Sequence, residues 1–127
     1  MKTLCAAAAL LCAATGPANA GQSFEESLVE CAVLIELMTG EQTPVSGQSA
    51  ELEYFVGTAA NMRAEAVRRS DANYVERTAA EKRQVWHDRW DAGQWDNPEN
   101  REDLVEWWTY CFKFAEHLEV EGPTPFD

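Results

Sequence analysis

From residue 21 to about residue 120 the apolar positions recur at helical spacing, and no segment alternates at the period of a strand. In "SFEESLVECAVLIELMTG" the stripe is Phe24, Leu28, Cys31, Ile35 and Met38, three or four residues apart. Ser23 with Glu26 three positions on makes a capping box, and Gly40 is a stop signal. "EQTPVSGQ" has the composition of a loop. A second helix is predicted from about Ser49 to Arg69 on the stripe Leu52, Phe55, Ala59, Met62 and Ala66. Gly57, Ala59 and Ala60 are small enough to admit a close neighbour, and Arg68 and Arg69 suit a helix C-terminus.

A third helix is predicted from about Ala72 to Ala92, with Ser70 or Asp71 as its cap and Gly93 as its stop. Val75, Ala79, Trp86 and Trp90 form its apolar face. Lys82 shares that face, so its stem should lie along the surface with the charge outward. Residues 49–92 also read as one long helix kinked near Ser70. "GQWDNPENRED" is a second loop, in which Asn97 and Pro98 are an N-cap followed by proline at the first helical position. The fourth helix runs to about Glu119. On a wheel Leu104, Trp108, Cys111, Ala115 and Leu118 make its central stripe. Trp107 and Phe114 flank one side, Val105 and Phe112 the other, and Tyr110 stands at a margin. That arc of roughly 200° is wider than a surface helix shows, so this helix is expected to touch two or three neighbours.

The fold expected is therefore all-α: a small four-helix bundle, or a three-helix bundle with a kinked long helix, closed by one disulfide. Cys31 and Cys111 each fall at the centre of an apolar arc, as a buried inter-helix bridge requires. There is no Cys-x-x-Cys, and two thiols are too few for zinc. Closing a loop of roughly 80 residues stabilises by on the order of 4–5 kcal/mol on the chain-entropy model.

The first twenty residues stand outside this pattern. Lys2, the apolar run 4–14, the Gly16–Pro17 break and the small residues of "ANA" (18–20) form a secretory signal with cleavage expected before Gly21. The run is too short to span a membrane, and no insertion is expected after cleavage. A lipoprotein signal ending at Cys12 is the competing reading, but Leu11 stands where a small residue is wanted. The chain thus divides into a cleaved signal (1–20), a helical domain (21–120) and a flexible C-terminal tail (121–127). It is expected to be exported: periplasmic if the source is a Gram-negative bacterium, otherwise secreted.

Charge narrows the partners. The net charge of −12 becomes −13 once Lys2 leaves with the signal. Nucleic acid and anionic membranes would be repelled, whereas a basic extracytoplasmic protein would be attracted. Nine of the thirteen aromatic residues lie within 86–126. Most are expected in the core. Trp95, beside Asp96 in the second loop, lies outside any stripe and is a candidate anchor for a partner, with Trp107 and Tyr110 at the margin of the fourth helix.

Reaction chemistry is not legible. His87 with Asp91, and His117 with Glu121, are each four apart, but a metal site needs three or four ligands. Motifs for haem attachment, nucleophilic serine and phosphate binding are absent. No catalytic residue, metal ligand or cofactor is assigned. The function expected is a non-enzymatic, exported, acidic helical protein that binds or inhibits another extracytoplasmic protein. The alternatives are a carrier of a small apolar ligand, enclosed by aromatics of the third and fourth helices, and a small metal-assisted enzyme.

Overall fold

A computed structural model describes residues 21–40, 47–91 and 97–123. These residues form four α-helices and no strand: α1 Phe24–Thr39, α2 Ala50–Arg69, α3 Ala72–Trp86 and α4 Pro98–Leu118. A π-helical turn, His87–Asp91, continues α3. The bundle is closed by the Cys31–Cys111 disulfide, whose Cα atoms are 5.4 Å apart. Among the described residues no helix is long and apolar enough to cross a membrane.

The centre of the bundle is α1. Every residue from Ser27 to Glu36 is buried, so this helix is covered on all sides for nearly three turns. Leu28, Val29, Val33, Leu34 and Ile35 are fully buried. Together they contribute roughly 10 kcal/mol of transfer free energy, an upper estimate. This corrects the expectation of a single stripe on the first helix and a broadly buried fourth. The uninterrupted apolar run at 31–35 marks a helix buried all round. Phe24, placed in the stripe by its spacing, is 51% exposed. In α4 only Cys111 and Ala115 are buried.

Around α1 the packing is mainly with α2 and α3. Ser49 and Asp71 cap these two helices, their side chains accepting from Leu52 N and Tyr74 N. Asp71 starts a new helix after Ser70 leaves helical geometry, so 50–86 is two helices rather than one kinked one. Two charged contacts register the three. Glu36 of α1, its side chain fully buried, accepts from Arg63 of α2 at both carboxylate oxygens and from Arg83 of α3 at 3.1 Å. Lys82 of α3 lies 2.8 Å from Glu26 and 3.4 Å from Glu30 of α1. Its charge is therefore paired at the helix interface and not directed to solvent, because two carboxylates one turn apart meet it there. Burial works to lower the Lys82 pKa, but the Glu26 hydrogen bond and the charges of Glu30 and Glu26 outweigh it and hold it above the ordinary value.

Helix α4 begins as expected, with the Asn97 side chain accepting from Glu99 N and proline in the first turn. It stands against α1 at few backbone positions, and its large rings fill the space between. One row of rings, Trp108 and Phe112, meets Tyr54 and Phe55 of α2. The other, Trp107, Tyr110 and Phe114, lies toward α3 and the start of α1. After α4 the chain turns at Glu119, which has positive φ, and docks on α2. The Tyr54 hydroxyl donates to Glu121 Oε2 at 2.7 Å, and Gly122 N donates to Thr58 Oγ1 at 2.8 Å. Residues 121–123, read from the sequence as flexible tail, are thus held, because two glycines, Gly57 and Gly122, let the backbones meet. The rest of that tail, like residues 1–20, read from the sequence as a secretory signal, lies outside the described residues.

Candidate binding cleft between α1 and α4

Between α1 and α4 lies a cleft of about 350 Å³, lined by Gln22, Ser27, Glu30, Glu106, Trp107 and Tyr110. Its position follows from the staple. Ser27 and Glu30 lie one turn and one residue before Cys31, and Trp107 and Tyr110 lie at the same offsets before Cys111. Joining the two cysteines brings both pairs to one place.

The floor is polar and ordered. Glu30 is 8% exposed, and its backbone carbonyl accepts from the Trp86 indole at 3.1 Å. Its carboxylate meets Lys82 on one oxygen and the Gln22 side-chain amide on the other, at 3.0 Å. The same Gln22 nitrogen donates to Ser27 Oγ at 3.0 Å. Gln22 precedes the N-cap Ser23, so no helical hydrogen bond holds its backbone in place. The wall is aromatic: Trp107 packs edge-on to Trp86 and to Tyr110, with centroids 5.1 and 5.7 Å apart. Tyr110 stacks on Phe114, and Phe114 meets Phe24 at a tilt with centroids 5.9 Å apart, carrying an aromatic edge to the start of α1. Tyr110 is 45% exposed, and Glu106 is exposed at the rim.

Of the candidate partner contacts, Trp107 and Tyr110 are brought together in this cleft. Trp95 and Asp96 lie outside the described residues. Gln22, Ser27, Glu30 and Glu106 were not singled out from the sequence, since each is an ordinary polar residue until two helices are juxtaposed. Trp86 and Trp90, one turn apart on α3 and its π-helical extension, stack with centroids 4.5 Å apart and planes 5° from parallel, and Trp107 of α4 meets Trp86 edge-on. Among the described residues, no three His, Cys, Asp or Glu side chains converge as a metal site would require. His87 Nδ1 lies 3.5 Å from Asp88, and the Glu121 carboxylate is engaged by Tyr54 rather than by His117.

The chain matches no protein-family model, no curated protein and no solved structure.

Proposed function

We propose that this protein is an exported, non-enzymatic binding module that engages a basic extracytoplasmic partner protein through the α1–α4 cleft, and by occupying that partner inhibits it. The observation that carries the reading is the cleft's composition. The half-buried ring of Trp107 and the exposed ring of Tyr110 offer rigid contact area, and carboxylates at Glu30 and Glu106 offer the charge that a basic partner complements. A net charge of −12 would steer such a partner toward it. Export rests on residues 1–20 acting as a cleaved secretion signal, with the periplasm as destination in a Gram-negative source. Oxidising conditions there suit the Cys31–Cys111 bridge.

The test is comparative capture. Disulfide-bonded protein and the variants Tyr110→Ala and Glu106→Lys are immobilised and exposed to an envelope or culture extract. A basic protein held by the parent and lost by both variants, with retention falling as salt rises, supports the reading. Identical capture by all three would overturn it. N-terminal sequencing of the exported protein should begin at Gly21.

A further inference from the structure

We infer that Ser27 Oγ and the Glu30 carboxylate form a seat for a guanidinium group, the side chain of one arginine on the partner, and that Gln22 fills this seat in the free protein. This deepens the binding reading above and rests on it.

Gln22 is the stand-in that identifies the ligand chemistry. Its side chain ends in a planar NH₂ that donates to two acceptors, Ser27 Oγ and Glu30 Oε1, both at 3.0 Å. A guanidinium is also planar, presents the same donor pair in a fixed fork, and adds a full positive charge. The neutral Gln22 amide gives the Glu30 carboxylate a hydrogen bond alone, whereas a guanidinium adds the attraction of opposite charges, so the exchange favours the incoming arginine. Gln22 can leave because it lies ahead of the N-cap of α1.

The surroundings fit a cation. Lys82 pairs with Glu26 and Glu30, and Glu106 lines the cleft, so three carboxylates against one ammonium leave two formal negative charges about it. Lys82 engages Glu30 on the oxygen that Gln22 does not use, so the seat stays open to a second donor. Trp107 and Tyr110 line the same space, where a planar cation gains from an aromatic ring. A volume of about 350 Å³ is small for a drug-sized ligand but suits one long side chain. A lysine would enter as a strongly hydrated point charge beside Lys82, without the fork that matches two acceptors, and is the poorer occupant.

The probes are three short glycine–serine peptides carrying one central arginine, lysine or citrulline, titrated into the full disulfide-bonded protein. Binding is read from the side-chain NMR signals of Trp107 and Tyr110. The arginine peptide should shift both signals saturably, with the lysine and citrulline peptides about fivefold weaker or more. Gln22→Ala removes the competing amide and should tighten arginine binding about fivefold, while Glu106→Gln should weaken it by a similar factor. Glu106 is exposed and Gln22 half-buried ahead of the N-cap, and unchanged melting curves verify the fold. Equal binding of arginine and lysine peptides, or an affinity unmoved by Gln22→Ala, overturns the seat. If the arginine peptide fails to bind while a partner is captured in a Tyr110-dependent way, the seat is wrong and the binding reading stands. If both fail, both fall.

Discussion

Placing a methyl group on Gly122 should undock the chain that follows α4. A Cβ there would lie 2.7 Å from Tyr54 O, 2.9 Å from Thr58 N and 3.1 Å from Gly57 C, all backbone atoms of α2 that cannot turn aside. Overpacking of this kind costs about 1–3 kcal/mol if the segment stays in place. The cost has a ceiling, because the segment can let go. Release gives up three hydrogen bonds: Tyr54 to Glu121, Asn61 to the Glu121 carbonyl, and Gly122 to Thr58. At about 1 kcal/mol each this is roughly 3 kcal/mol, partly returned as chain entropy by the residues set free. Gly122→Ala is therefore expected to cost about 1–2 kcal/mol, a fall of about 1 M in the urea midpoint for a domain of this size. Gly21→Ala, where nothing lies within 4 Å, is the control. Undocking makes a second demand: Tyr54→Phe should destabilise the parent but cost almost nothing in the Gly122→Ala background. If Tyr54→Phe costs the same in both, the segment is still docked and the reasoning is refuted.

Three further outcomes are expected. Cys31→Ser and Cys111→Ser should destabilise equally, by on the order of 4 kcal/mol, and the double variant no more than either; additive losses in denaturant titrations would mean the two are not bonded. Burial, the hydrogen bond to Glu121 and the charges of Glu121 and Glu116 raise the Tyr54 pKa above its ordinary 10.0. The folded protein then keeps a proton that the unfolded chain releases, so this stabilisation is complete below pH 10 and declines above it. Tyr54→Phe should flatten the alkaline fall in stability, and an unchanged slope in urea titrations would contradict the assignment. At the three-helix junction, the Glu36 side chain has no solvent exposure, while Arg63 and Arg83 are 27% and 37% exposed. Glu36→Ala lets both arginines turn to water, whereas Arg63→Ala with Arg83→Ala strands a buried carboxylate. The double variant should be the less stable of the two, by about 2 kcal/mol in chemical denaturation. Equal losses would show that Glu36 is not confined.

Helical period, the N-terminal starts of the four helices and the stop at Gly40 were legible, because they are set by residues within a few positions of one another. Ser23, Ser49, Asp71 and Asn97 each accept the backbone hydrogen bond expected of an N-cap. The disulfide was legible for a related reason: two cysteines, each centred on the apolar arc of its own helix, are placed to meet when those arcs pack together. The apolar run at 31–35 also held the sign that α1 is central, but aromatic density drew the expectation to α4. Rings need not be buried whole: in α4 only Cys111 and Ala115 are fully buried, and the large rings pack against the core while keeping part of their surface open.

What the tertiary structure alone decided is which polar groups meet. Glu36 and its two arginines are 27 and 47 residues apart in the chain, and Tyr54 and Glu121 are 67 apart. Acidic residues are so numerous that no pairing can be read from their positions, since charge attracts without regard to sequence distance. The cleft is of the same kind. Its rings belong to a helical stripe that the sequence displays, but its floor of Gln22, Ser27 and Glu30 becomes a site only once the Cys31–Cys111 bridge sets α4 beside α1. Local hydrogen bonding and apolar period made the helices, and packing around α1 chose their neighbours and, with them, the chemistry at the surface.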